Sequence, residues 1–219
     1  MLLRSDTYQF LSNTQICAGM RGAFPPDYAL RLAETLIKNG IVSFEFTMNS
    51  EQPIEAMKAV KAEFGKDVCV GMGTVLDTPT AERVLEADAD FVVSPAFQPE
   101  IVAIVTQSNC LMAPGIATPS EAVQAWAMGV DILKLFPIGT LGVDHFKAIY
   151  GPLNHMKFMC NGGMNGDNAA QFIEAGAIAV GMANWLTGDG SWSMEQIGER
   201  AKSLRSKIDL VIENKNNSD

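Results

Sequence analysis

Short apolar runs alternate with longer stretches of helical period along almost the whole chain. The apolar runs fall at 16–21, 42–47, 68–73, 91–94, 111–113, 131–136, 157–160 and 178–180, eight in all. Short, nearly continuous apolar runs of this kind suit strands buried on both faces of a parallel sheet. Between them the apolar positions recur at three- and four-residue steps. In 27–39 the face is Leu30, Ala33, Leu36 and Ile37, and Gly40 follows as a stop. In 51–64 it is Ile54, Met57, Val60 and Phe64, with Gly65 after it. The stretches 78–87, 98–108, 118–128, 143–150 and 167–175 continue the series, and 192–213 is a closing helix. Thr78-Pro79 and Thr118-Pro119 set a capping residue beside a proline suited to the first helical turn.

Eight strand–helix units predict an α/β fold, a (β/α)8 TIM barrel with an N-terminal helix. An open doubly wound sheet is the rival, but it has fewer units at this length. The expected organisation is one TIM-barrel domain over 1–219: an N-terminal helix at 1–15, the barrel at 16–188, a C-terminal helix at 191–213 and a polar tail at 214–219.

Composition narrows the function classes. The chain is 47% hydrophobic and 19% charged, with 19 glycines, which suits a large core and many tight turns. A net charge of −9 without any basic run argues against nucleic acid as a partner. No apolar stretch is long enough to span a membrane, and the N-terminus lacks the order of a signal peptide, so the cytoplasm is the expected compartment. Cys17, Cys69, Cys110 and Cys160 are scattered and each lies in or beside an apolar run, as reduced, buried cysteines do. With only His145 and His155 to join them, they have no metal-ligand spacing, and no metal is expected.

In such barrels, function sits where strands run into helices. The sixth apolar run reads Asp131-Ile132-Leu133-Lys134-Leu135-Phe136-Pro137. A period of two puts Leu133 and Leu135 toward the helices and Lys134 into the barrel. A lysine there loses hydration, which favours the neutral amine, and a neutral amine can condense with a ketone. The alternative is a buried lysine paired with a carboxylate for structure alone. In Ser43-Phe44-Glu45-Phe46-Thr47 the same logic turns Glu45 inward, where it can shuttle protons for imine chemistry or simply neutralise Lys134. Arg21, at the end of the first strand, can clamp a carboxylate or form a surface ion pair. Gly73 and Thr74 end the third strand, where amides and a hydroxyl can hold the same carboxylate, although a plain tight turn would look identical. Asn161, Gly162, Gly163 and Asn165 follow the seventh strand and Asn184 the eighth, the positions that bind phosphate in many barrels; asparagines there also suit a hydroxylated group. Pro95 and Pro114 shape the mouth.

Taken together these residues resemble the 2-keto-3-deoxy-6-phosphogluconate aldolase family, with its phosphogalactonate and 4-hydroxy-2-oxoglutarate relatives. The marks run from about Ile16 to Gly188: Met20-Arg21-Gly22, Glu45 with Thr47, Gly73-Thr74-Val75-Leu76, Ser94-Pro95, Pro114-Gly115, Lys134-Leu135-Phe136-Pro137 and Gly162-Gly163. The resemblance implies a class I lyase with Lys134 as the Schiff-base residue, Glu45 as general acid/base, and Arg21 and Thr74 on the pyruvyl carboxylate. It also implies a homotrimer. Thr47, Asn49 and Phe136 join the pocket-shaping set; some relatives carry arginine where Asn49 stands. Asn161 replaces a frequent threonine, and Ala183-Asn184 a frequent Gly-Ser, so the distal group is expected to be either a phosphate or a neutral polyol.

The expected reaction is attack of Lys134 on the C2 ketone of a 2-keto-4-hydroxy acid, cleavage of C3–C4 with Glu45 moving the protons, and release of pyruvate and an aldehyde. The partner is this small molecule, and no cofactor is needed. Two other readings remain at this stage. One is a sugar-phosphate isomerase or decarboxylase type of barrel that uses Lys134 only as a charge. The other is a non-catalytic barrel that binds a small acid.

Overall fold

The computed structural model describes residues 2–217. Its strands are β1 (Ile16–Met20), β2 (Ser43–Thr47), β3 (Cys69–Gly73), β4 (Phe91–Val93), β5 (Leu111–Ala113), β6 (Gly115–Ile116), β7 (Leu133–Leu135), β8 (Phe158–Asn161) and β9 (Ala179–Met182). All pair in parallel, in the order β5-β4-β3-β2-β1-β9-β8-β7-β6. The expected eight strands become nine segments because β5 and β6 are halves of one strand. Pro114 interrupts it, having no N–H to give a ladder. The lower half pairs with β4 and the upper with β7, and the Pro114 carbonyl still accepts the Lys134 N–H at 2.9 Å. The sheet is thus a nearly closed barrel joined at this strand by the chain itself.

The helices are α1 (Arg4–Thr14), α2 (Pro26–Ile37), α3 (Pro53–Phe64), α4 (Thr78–Glu86), α5 (Pro99–Gln107), α6 (Pro119–Ala127), α7 (Val143–Tyr150), α8 (Ala169–Glu174), α9 (Asn184–Thr187) and α10 (Met194–Asn216). Proline stands in the first turn of α2 to α6, where its missing N–H costs nothing. Ser193 and Gln196 cap α10 reciprocally, each accepting the other's backbone N–H at 3.2 Å. That helix runs on to Asn216, into the stretch expected as a polar tail; residues 218–219 lie outside the described residues, as does Met1. The short α9 has no counterpart in the sequence pattern.

Strand alternation divides the apolar residues into two clusters. Phe44, Phe46, Val70, Met72, Leu133 and Leu135 face outward into the layer shared with Leu32, Leu36, Met57 and Val60 of the helices. Cys17, Cys69, Phe91, Leu111, Ile132 and Met159 fill the barrel's interior. Leu11 of α1 joins this inner cluster from below, so the N-terminal helix plugs one end of the barrel. The Thr7 hydroxyl of that helix reaches the carbonyls of Leu3 and Asp90. With the lower end filled, the interior is open to polar groups only at the end where strands meet helices.

Asp90 locks the plugged end. Its buried carboxylate accepts the Val70 N–H at 2.9 Å, the Leu2 N–H at 2.8 Å and the Lys61 ammonium at 2.8 Å. Burial pulls the Lys61 pKa down, but the bonds to Asp90 and Asp88 outweigh it and hold the ammonium above its ordinary value. Asp90→Ala is therefore expected to cost about 3 kcal/mol in urea unfolding, since it leaves two amides without an acceptor and the Lys61 ammonium with Asp88 alone. Because a raised lysine pKa stabilises only the protonated state, the Lys61 contribution should be full below pH 10.5 and fade as pH rises beyond it. The four thiols are free and buried; burial pushes Cys110 up to about 12 and raises Cys17, Cys69 and Cys160 as well. A thiol reagent at pH 8 should label none of them in native protein and all of them in guanidinium.

Candidate active site

The open end of the barrel holds what the alternation of β2 and β7 dictates. With Phe44 and Phe46 turned to the helices, Ser43, Glu45 and Thr47 point inward; with Leu133 and Leu135 turned out, Lys134 points inward. The Lys134 Nζ lies 3.8 Å from Glu45 Oε1, and both residues are all but sealed from solvent, at 3% and 4% exposure. The amine also lies 5.3 Å from the centre of the Phe136 ring. Cys17 sits on the floor below this pair. Burial raises its pKa most, the Glu45 charge adds to the rise, and Lys134 opposes it.

Strand glycines make the room. A Cβ on Gly73 would lie 1.9 Å from Glu45 Oε1, and one on Gly181 would lie 1.9 Å from Asn161 Nδ2. The polar side chains thus occupy the volume their neighbours give up. Above them opens a cavity of about 400 Å³ lined, among others, by Arg21, Glu45, Thr47, Lys134, Phe136, Asn161, Gly162, Gly163 and Asn184. The Arg21 guanidinium is exposed at this cavity and meets no carboxylate among the described residues. Asn161 is buried, and its Oδ1 has no hydrogen-bond partner among the described residues. A buried acceptor left open in a cavity wall is a place for a ligand's donor.

Five of the expected residues stand outside the cavity wall. Gly73 lies behind the Glu45 carboxylate. Thr74, with φ of 59°, turns the chain away beyond β3. Asn49 is exposed on the turn after β2. Pro114 is buried within the interrupted strand, and Pro95 packs its carbonyl against Gly115, where a Cβ would come within 2.3 Å of the oxygen. Asn165 lines the cavity, but its side chain holds the neighbouring loop. Its Oδ1 accepts the N–H groups of Asp167 and Asn168 at 2.8 and 3.1 Å, and Asn168 in turn donates to the Gly163 carbonyl at 3.0 Å.

Met164 and Trp185 also line the cavity and are not evident from sequence. Trp185 is fixed by partners distant along the chain. Its ring fills the space over Gly166, and the Arg200 guanidinium of α10 lies 5.3 Å from its centre and 3.9 Å from that of Trp192. Arg200 also donates to the Trp185 carbonyl at 2.6 Å. The only trace in sequence is an aromatic residue one step after Asn184.

A family model described as KDPG and KHG aldolase matches residues 20–199. A 2-dehydro-3-deoxy-phosphogluconate aldolase of Haemophilus influenzae is 32% identical over 189 residues, covering 84% of this chain and 87% of its own. Among solved structures, one described as native KDPGal superposes with a TM-score of 0.85 at 26% identity, over 90% of this chain and 96% of its own. A KDPG aldolase from Legionella pneumophila, captured with pyruvate as a covalent carbinolamine intermediate, gives 0.79 at 25% identity, over 94% and 97%.

The glycine at position 73 offers a direct test of the geometry. Gly73→Ala should push the Glu45 carboxylate out of its place and cut turnover of a keto-acid substrate by about 10²-fold, while circular dichroism keeps the native spectrum.

Proposed function

The chain belongs to the KDPG and KHG aldolase family, whose members are lyases, and on that premise we propose that it is a class I aldolase cleaving a 2-keto-3-deoxy acid to pyruvate and an aldehyde through a Schiff base on Lys134. The observation that carries the reading is one amine and one carboxylate, 3.8 Å apart and nearly dry, at the base of an open cavity.

The steps follow from that pair. Glu45 takes a proton from Lys134, and the free amine attacks the C2 carbonyl carbon to give a carbinolamine. Glu45 returns that proton to the carbinolamine hydroxyl, which leaves as water; the resulting iminium withdraws electrons from C3, and Glu45 is again a carboxylate. Glu45 then removes the proton of the C4 hydroxyl, directly or through one water; the C3–C4 bond breaks, the aldehyde departs and its electrons rest in an enamine. The same carboxyl returns the proton to C3, and water hydrolyses the iminium to pyruvate and the lysine amine. The imine is itself the electron sink, so the reaction calls for no cofactor. The covalent carbinolamine in the Legionella relative supports carrying this chemistry over.

In this reading Arg21 holds the keto-acid carboxylate, with Gly73 and Thr74 forming the turn beside it. Asn161, Gly162, Gly163 and Asn184 receive the aldehyde half, and the open Asn161 Oδ1 accepts a hydroxyl of it. Thr47 and Phe136 shape the wall; Asn49, Pro95 and Pro114 shape the rim behind it. We assign the protein to the cytoplasm on its free, buried thiols. We also assign it a homotrimeric state, in line with the family resemblance and with a structural neighbour designed from symmetric oligomeric domains.

Pyruvate with borohydride should add one reduced adduct to the protein, located at Lys134 by peptide mass mapping; an unmodified mass contradicts the reading. Glu45→Gln should lower turnover by about 10²- to 10⁴-fold, with KM changed far less, in a pyruvate-release assay.

A further inference from the structure

Arg21 reaches the cavity from a turn, and its guanidinium has no carboxylate partner among the described residues to hold it. Its placement therefore rests on its backbone. The two peptide groups that flank it are both tied to one side chain on another turn. Ser50 Oγ accepts the Gly22 N–H at 3.1 Å and donates toward the Met20 carbonyl at 3.2 Å. Thr47 Oγ1 stands 2.8 Å from Ser50 Oγ and 3.3 Å from the same Met20 oxygen. Two hydroxyl hydrogens thus serve one carbonyl and each other, and the Glu51 N–H closes the bracket on the Gly22 carbonyl at 3.0 Å. From the other side, the Ala23 N–H bonds to the Asp189 carbonyl at 3.1 Å, and a Cβ on Gly22 would come within 2.6 Å of that oxygen. The Arg21 turn is wedged between the turns that follow β2 and α9, and Ser50 is the hinge pin of the β2 side.

We propose that Ser50 is a positioning residue for substrate binding: its hydroxyl holds the Arg21 backbone so that the guanidinium meets the keto-acid carboxylate in register. The inference rests on the reading of Arg21 as the carboxylate holder. Bidentate guanidinium–carboxylate bonding is geometrically demanding, so a turn freed on one side loses binding before it loses chemistry. Lys134 and Glu45 stand on β7 and β2 themselves and do not depend on this turn. Removal of the hydroxyl also strands the Gly22 N–H in a part-buried place.

The test is a double-mutant cycle in full-length protein, read as KM and kcat for pyruvate release. Ser50→Ala should raise KM about fivefold and leave kcat within about twofold. Ser50→Thr, which keeps the hydroxyl, should restore KM. Arg21→Gln should raise KM further, and adding Ser50→Ala to it should change little, since both act on one contact. If Ser50→Ala raises KM equally with and without Arg21, or lowers kcat instead, the positioning role is overturned. If Arg21→Gln alone leaves KM unchanged, the reading of Arg21 fails and this inference with it. Should Ser50→Ala lower Tm sharply, Ser50→Cys replaces it, matching serine in size with a far weaker acceptor; a wild-type KM for that variant also overturns the proposal.

Discussion

Everything at this site depends on keeping a lysine and a glutamate side by side away from water. Either charge alone inside the barrel would be costly, and each is tolerable because the other stands 3.8 Å away. The surrounding fold reads as the set of conditions for that arrangement. The N-terminal helix fills the lower end, sulfur and aromatic side chains pave the floor, and strand glycines clear the volume the two polar groups need. A pair that served structure alone would need no cavity above it. Here one opens directly over it, with a guanidinium at its edge and a side-chain carbonyl oxygen in its wall that both lack a protein partner among the described residues.

The strand interrupted at Pro114 shows how chemistry and architecture are interleaved. A continuous strand would bond to both neighbours along its length, whereas the proline divides the labour: the lower half serves β4 and the upper half β7. Its carbonyl anchors the backbone of Lys134 itself. A residue set outside the cavity wall thereby fixes the height at which the amine enters the barrel.

Much of this was legible in the sequence because period-two alternation is unforgiving. Flanking leucines and phalanxes of phenylalanine leave Lys134 and Glu45 no other direction than inward. The glycines of β3 and β9 were visible as residues but not as complements of Glu45 and Asn161, since that relation joins different strands. Trp185 escaped for the same reason: what fixes it, Arg200, lies on the last helix. Nothing in the sequence links Ser50 to Arg21, and only the closure of the barrel brings it under the backbone of that residue. α10 runs past Glu213 to Asn216 because a long helix, once started by its capping box, carries a polar, asparagine-rich stretch that by composition alone reads as solvated chain.

The most direct measurement is exchange of the pyruvate methyl protons for solvent deuterium, followed by proton NMR with no aldehyde present. Enamine formation requires the amine to bind the ketone and the carboxylate to move the proton, so both halves of the pair are read at once. The account predicts exchange catalysed by the wild-type protein and abolished by Lys134→Met, with a loss of about 10²-fold or more for Glu45→Gln. Exchange that persists undiminished in either variant would contradict it.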